Sequence, residues 1–180
     1  MTFSSYDLAG EDPNPMTVAE VDALKKLVSV ESLDFANPTI INIGAERGTS
    51  TLAILEERPD ATIFSIDINP SESEFENLRK AELDTTKVIR ILGRSQGVGR
   101  AWPFWFEFIW IDGDHRYLAV KEDIQAWLPK LRKGAIIALH DYFEGEPPRH
   151  NPSGAGQAIR ELMGDHELIC EVERIRAFRI

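Results

Sequence analysis

TIINIGAERGTSTLAILEERPDATIFSID, residues 39–67, decides the fold. Its first five residues are an apolar run without polar alternation that meets glycine at once, the pattern of a strand buried on both faces of a parallel sheet. STLAILEER (50–58) is good helix material, and ATIFSID (61–67) is a second apolar run, which ends in a carboxylate. Strand, helix and strand in this order make a β-α-β unit.

Upstream, Val18, Val21, Leu24, Leu27 and Val28 fall at helical spacing behind Thr17, a suitable N-cap. Downstream the alternation continues. A helix is expected near residues 71–82, then strands KVIRIL (87–92) and FEFIWID (106–112), a helix over 118–131 and a strand AIIALHD (135–141). A short helix over 156–163 precedes two strand-like runs, 166–172 and 174–180, joined so closely that only an antiparallel hairpin fits. The expected architecture is therefore α/β: a doubly wound, mostly parallel seven-stranded sheet with a C-terminal antiparallel hairpin. Residues 1–16 read as a flexible lead-in and 17–180 as one domain. The Pro/Gly-rich stretch 144–156 reads as one long loop over the active end of the sheet, since ligands of such sheets sit beyond the carboxyl ends of the strands.

Composition bounds the partners. Twenty basic against thirty acidic residues give a net charge of -10, which opposes attraction to a phosphate backbone, so nucleic acid is not an expected substrate. Arg90, Arg94 and Arg100 read as solvated loop positions. No apolar run reaches the ~18 residues of a membrane span, and the N-terminal residues have neither a basic start nor an apolar h-region, so no membrane or secretory segment is expected. One cysteine, Cys170, excludes an internal disulfide and suits a reducing cytoplasm; in its alternating run it reads as a small buried residue. Self-association to a homo-oligomer is left open.

Three constellations carry chemistry. In Asn42-Ile-Gly-Ala-Glu-Arg-Gly48, at a strand end opening a helix, Gly44 and Gly48 permit close approach of a ligand and the helix N-terminus offers N–H groups. A bare strand-to-helix turn would also want glycine. The G-x-G-x-x-G of dinucleotide enzymes is missing, which disfavours a nicotinamide oxidoreductase. Asp67 follows Gly44 by 23 residues, close to the ~20-residue offset at which an acidic side chain receives ribose hydroxyls; the alternative is a cap for the turn before Asn69-Pro70. Third, Ile111-Asp-Gly-Asp-His-Arg-Tyr117 and Leu139-His-Asp-Tyr142 end two strands that a parallel sheet would set side by side. Asp112, His140 and Asp141 are then placed to share a divalent cation, and His115 to take a proton from a hydroxyl. Singly, each is equally a strand-end cap. The aromatics Trp102, Phe104, Trp105, Phe106, Phe108 and Trp110 read as core packing of the fourth strand. Tyr117, Tyr142, Arg149 and His150 are further candidates for substrate contact, the last two more simply solvated loop residues.

INIGAERGTST, IFSIDIN and FIWIDGDHRYLAVKEDIQAWLPKLRKGAIIALHDY together resemble class I S-adenosylmethionine-dependent methyltransferases, and more narrowly the branch of macrocin and mycinamicin sugar O-methyltransferases and the cephalosporin-biosynthesis methyltransferase. The resemblance runs from about residue 17 to the end, with D-G-D-H-x-Y and H-D-Y its most specific parts. It implies a Rossmann-like fold and methyl transfer from S-adenosylmethionine to a small-molecule hydroxyl. In such enzymes the residues matching Asn42, Gly44, Ala45, Glu46 and Gly48 wrap the methionine part of the cofactor, those matching Asp67 and Ile68 bind the ribose end, and those matching Gly93, Ser95 and Gln96 lie along the adenine. Asp112 matches a residue of the cofactor and metal sites, His140 and Asp141 match its metal-binding partners, normally for magnesium, and His115 matches the general base. Two positions depart from the pattern. Asn42 stands where an acidic residue is usual, and His140 where metal-dependent members often carry a carboxylate, removing one hard ligand. Two rival readings are a metal-independent methyltransferase using His115 alone and a non-catalytic cofactor-binding or regulatory module of the same fold.

Overall fold

The computed structural model describes residues 3–10, 16–143 and 154–180. A short helix α1 (Ser5–Leu8) and helix α2 (Val18–Val28) precede strand β1 (Thr39–Ile43). Then follow α3 (Thr49–Glu57), β2 (Thr62–Asp67), α4 (Glu72–Lys80), β3 (Val88–Leu92), α5 (Ser95–Ala101), β4 (Phe106–Ile111), α6 (Tyr117–Trp127) and β5 (Leu131–Leu139). Helix α7 (Ala155–Met163) and the hairpin β6 (Glu167–Val172) and β7 (Ile175–Arg179) complete the order.

The seven strands form one sheet in the order β3-β2-β1-β4-β5-β7-β6. The first five are parallel, and β7 enters antiparallel between β5 and β6. This is the expected Rossmann-like architecture. Alternate residues of the buried strands feed two cores. Ile40, Phe108, Trp110 and Ile136 pack with α2 and α3 on one face, while Ile41, Ile43, Ile109, Ile111 and Ile137 pack with α6 and α7 on the other. Burial on both faces explains why these strands read as continuous apolar runs. Thr17 caps α2 by accepting the Glu20 N–H, and Glu20 returns the bond to the Thr17 N–H.

Four features depart from the sequence reading. The segment expected as a flexible lead-in contributes α1, whose Ser5 N–H and hydroxyl donate to the Glu56 carboxylate of α3 at 2.8 and 2.6 Å, while Leu8 joins the core. Helix α6 stops at Trp127 rather than continuing to 131, because Pro129 has no N–H for the next helical bond and turns the chain into a 3₁₀ segment. Strand β5 begins at Leu131, opposite Phe106, four residues before the apolar run that signals it. Helix α5, in SQGVGRA, has no apolar period to announce it; Gly99 lets it press against α6, where an added Cβ would lie 2.8 Å from the Trp127 ring.

The aromatic stretch divides. Phe106, Phe108 and Trp110 are fully buried and Trp102 nearly so, whereas Phe104 and Trp105 precede β4 at the opposite end of the sheet from its carboxyl end and stand 67% and 60% exposed. Arg90 is not a solvated loop residue: from β3 it donates to Glu74 and Glu72. Cys170 is half-buried against the α2/α3 core. Among the described residues no helix is long and apolar enough to cross a membrane. Most of the loop expected over 144–156, with Arg149 and His150, lies outside the described residues.

Candidate active site

The strand order reverses between β1 and β4, one running outward to β2 and β3, the other to β5. Connections diverge there and leave a crevice at the carboxyl ends of the strands. A cleft of about 930 Å³ opens at this place. Backbone bonds continue the parallel ladder to its rim: Gly44 N–H donates to Ile66, Asp112 N–H to Ile43, Gly93 N–H to Asp67 and His140 N–H to Ile111. The residues following each strand are thereby fixed relative to one another.

Gly44 is required by close approach. It has φ +79°, and a Cβ there would lie 2.1 Å from the Asp112 carbonyl oxygen. Gly48, at φ +92°, caps α3 and abuts Glu74, whose Cγ would be 3.0 Å from an added Cβ. Asp67 ends β2 with its carboxylate accepting the Asn69 N–H at 2.7 Å and the Glu46 N–H at 3.4 Å, so it is anchored at the edge of the glycine turn.

At the ends of β4 and β5, Asp112, His115 and Asp141 each bring a ligand atom within 4.8 Å of the others. His115 Nδ1 is 2.7 Å from Asp141 Oδ2. Asp141 is fully buried and holds φ 57°, a left-handed backbone that costs a non-glycine residue about 1–2 kcal/mol. Burial disfavours the imidazolium of His115, but the hydrogen bond and charge of Asp141, with the charge of Asp112, outweigh it and raise its pKa. Burial likewise works against the Asp141 carboxylate, which the His115 hydrogen bond and the charges of His140, His115 and Arg174 hold below its usual range.

Beneath this cluster lies a second charged layer. His140, almost fully buried, sets Nδ1 3.1 Å from Asp112 and Nε2 3.1 Å from Glu20. Glu20, with no exposed surface, also receives Arg174 from the β6–β7 turn at 2.7 Å, and Arg174 reaches Asp141 at 3.4 Å. Burial penalises all these charges, yet mutual pairing keeps His140 well above the imidazole range and Glu20 down to about 2. The trio whose ligand atoms meet is accordingly Asp112, His115 and Asp141; His140 also lines the cleft, but its ring nitrogens face Asp112 and Glu20.

Of the residues expected at the cofactor, Gly44, Glu46, Asp67, Ile68, Gly93, Ser95, Gln96 and Asp112 line the cleft. Asn42, Ala45 and Gly48 are not among the lining residues. Asn42 has no exposed surface, and its amide donates to Ser50 and Thr51 at 3.0 and 2.9 Å. Thr51 donates in turn to Glu74, which also receives Ser65 and Arg90. A carboxylate from α4 thus sits beneath the glycine turn where residue 42 supplies none. Tyr117 lines the cleft, while Tyr142 lies against Arg176, 4.1 Å from the ring centre. The sequence reading missed Glu20, Asp123 and Arg174. The first two carried a signal, a carboxylate on the apolar stripe of a helix: Glu20 beside Val21, Leu24 and Leu27, Asp123 beside Val120, Ile124 and Trp127.

A protein family described as a methyltransferase domain matches residues 41–142, the span from β1 through the glycine turn and Asp67 to Asp141. The chain belongs to this methyltransferase family. Solved structures repeat the fold at low identity. An inferred O-methyltransferase from Klebsiella pneumoniae superposes on the methyltransferase with a TM-score of 0.72 at 18% identity, covering 99% of this chain and 87% of its own. PaMTH1, a methyltransferase of Podospora anserina solved with S-adenosylhomocysteine bound, gives 0.61 at 20% identity over 79% of this chain and 71% of its own. MycE of the mycinamycin pathway, solved with magnesium and S-adenosylhomocysteine, gives 0.56 at 16% identity over 79% of this chain. The methyltransferase spans 45% of MycE's length.

Proposed function

We propose that this methyltransferase transfers the methyl group of S-adenosylmethionine to a hydroxyl of a small molecule. One observation carries the reading: Asp67 and the Asp112–His115–Asp141 trio face one cleft at the switch point of the sheet. The residues present fit the cofactor. Asp67 offers a fixed carboxylate to two ribose hydroxyls, Gly44 lets the β1 turn close against the Asp112 backbone at the cleft rim, and the acidic lining of Asp67, Asp112, Asp114 and Asp141 suits a cationic sulfonium. Bound there, S-adenosylmethionine supplies a methyl group on a good leaving group, so the protein's share is alignment and deprotonation.

His115 performs the deprotonation in this reading. Asp141 holds Nδ1, fixes the ring plane and stabilises the imidazolium that forms, and the other ring nitrogen takes the acceptor's hydroxyl proton. The two carboxylates of the trio, Asp112 and Asp141, also fit a divalent cation, with the His115 imidazole kept for the proton. Asp112 and Asp141 would hold it, and it would supply Lewis acidity at the acceptor oxygen. The His140 and Arg174 charges beside these carboxylates lessen the electrostatic need for such an ion.

Calorimetric titration with S-adenosylhomocysteine, with and without magnesium or manganese, tests the reading. Saturable binding that is lost in Asp67→Ala supports the cofactor site, and a metal-dependent change in affinity supports the ion. Absence of binding under every condition would leave a non-catalytic module of this fold.

A further inference from the structure

The reversed hairpin brings a cation to the site. Because β7 runs against the parallel strands, it starts where they end, so the β6–β7 turn stands at the carboxyl end of the sheet beside the Asp112–His115–Asp141 trio. The β5–β7 ladder pairs Ile136 with Arg179 and Leu139 with Arg176. One further step of two residues sets Arg174 opposite Asp141, and the Tyr142 N–H continues the ladder by donating to the Arg174 carbonyl at 3.0 Å. Arg174 therefore meets the Asp141 turn with backbone as well as side chain.

Its guanidinium is held from two directions. Toward α2, the backbone N–H, Nε and Nη2 of Arg174 donate to the Glu20 carboxylate at 3.2, 2.9 and 2.7 Å, and Glu20 also accepts the Thr17 N–H at 2.9 Å. Toward the site, Nη1 donates to Asp141 Oδ1 at 3.4 Å, while Oδ2 faces His115 Nδ1 at 2.7 Å. A planar guanidinium fork serves two carboxylates in fixed directions, which a single ammonium on a flexible stem does not. A carboxylate with no exposed surface needs partners for both oxygens, and those of Asp141 come from different elements. The imidazole of His140 is a further neighbour of Oδ1, with Nδ1 at 3.5 Å.

We propose that Arg174 is a positioning residue for the methyl transfer. Acting through Asp141, it keeps the carboxylate turned so that Oδ2 stays on His115 Nδ1 and the imidazole stays in one plane. Without the guanidinium, Oδ1 turns toward His140 and His115 loses its fixed partner. The assignment rests on the reading of His115 as the base.

The proton on His115 Nδ1 reports the contact without an acceptor substrate. The full chain has four histidines; a hydrogen-bonded imidazole N–H proton resonates downfield in the NMR spectrum, and His115→Gln identifies the one sought by its disappearance. Its exchange with water is measured in the wild type, Arg174→Gln, Glu20→Gln and the double variant. In Arg174→Gln exchange is about fivefold faster or more, the worth of one hydrogen bond. Glu20→Gln keeps an amide oxygen for Arg174 and leaves the guanidinium at Asp141, so its exchange stays within about twofold of the wild type, although breaking the buried pair lowers stability. The double variant removes both charges of that pair, so neither is left buried alone, and it exchanges as fast as Arg174→Gln. It decides the matter if Arg174→Gln does not fold.

Wild-type exchange in Arg174→Gln and in the double variant would overturn the positioning role. Equally fast exchange in Glu20→Gln would also overturn it, because that marks a general loosening. In either case the reading of His115 as base stands on its own turnover test. A wild type with no downfield proton that His115→Gln removes overturns the Arg174 role and the His115–Asp141 pairing together.

Discussion

His115 Nδ1 lies 2.7 Å from Oδ2 of Asp141, a fully buried carboxylate held in left-handed backbone at φ 57°. The partner that orients the imidazole is thus itself fixed by strain, burial and the Arg174 contact, and it stands next in the chain to His140.

This pairing predicts a division of labour in the kinetics. His115→Ala lowers kcat about 10²- to 10⁴-fold, the usual share of a positioned base, with S-adenosylhomocysteine affinity little changed. Because proton removal needs neutral His115 and Asp141 raises its pKa, activity of the wild type rises with pH above the ordinary imidazole range. Asp141→Asn removes that anion, and the inflection moves to lower pH as turnover falls. A pH–rate profile with its inflection unmoved in Asp141→Asn would contradict this role.

Asp67→Ala removes a charged acceptor whose geometry is set by the Glu46 and Asn69 N–H groups. Loss of such a bond is worth about 1.5–3 kcal/mol, so affinity for S-adenosylhomocysteine falls roughly ten- to hundredfold by calorimetry. The circular-dichroism spectrum stays that of the wild type.

Gly44→Ala meets two obstacles together, φ +79° and a Cβ placed 2.1 Å from the Asp112 carbonyl oxygen. Backbone strain and overpacking each cost about 1–3 kcal/mol. Tm should fall by roughly 5 °C or more, and S-adenosylhomocysteine binding should weaken because the Asp112 turn must retreat from the cleft. A variant with wild-type Tm and affinity would refute the close contact.

Glu20→Gln leaves His140 and Arg174 facing each other without their buried anion, a loss of about 3–5 kcal/mol by the usual cost of breaking a buried pair. The sign with pH follows from the folded pKa. Burial raises it, but the His140 and Arg174 hydrogen bonds overcome this and bring it from 4.5 to about 2. The stabilisation from Glu20 is therefore complete above pH 4.5 and lost as pH falls through 2. Urea unfolding should show the gap between wild type and Glu20→Gln narrowing from pH 6 to pH 3.

The sequence by itself determined the parallel sheet, the hairpin and the strand ends where the candidate site residues stand. Apolar runs such as TIINI and TIFSID record burial on both faces, and the residue after each run, Gly44 or Asp67, is carried to the rim by the same ladder. Strand-end chemistry is local in sequence and therefore legible. Tertiary structure alone decided which side chains meet. His140 and His115 are equally plausible beside Asp112 in the chain, but the left-handed turn at Asp141 brings its carboxylate to His115, while Glu20 from α2 and Arg174 from the hairpin turn engage His140 and the layer beneath. Asn42 reads as a ligand residue, yet its strand position turns it under α3, and the carboxylate near the glycine turn comes from Glu74. Glu20 lies 154 residues from Arg174, and no pattern along the chain encodes such a pair. Electrostatic partners are chosen by packing in space, and a charge on an apolar helical stripe is the one trace they leave in the sequence.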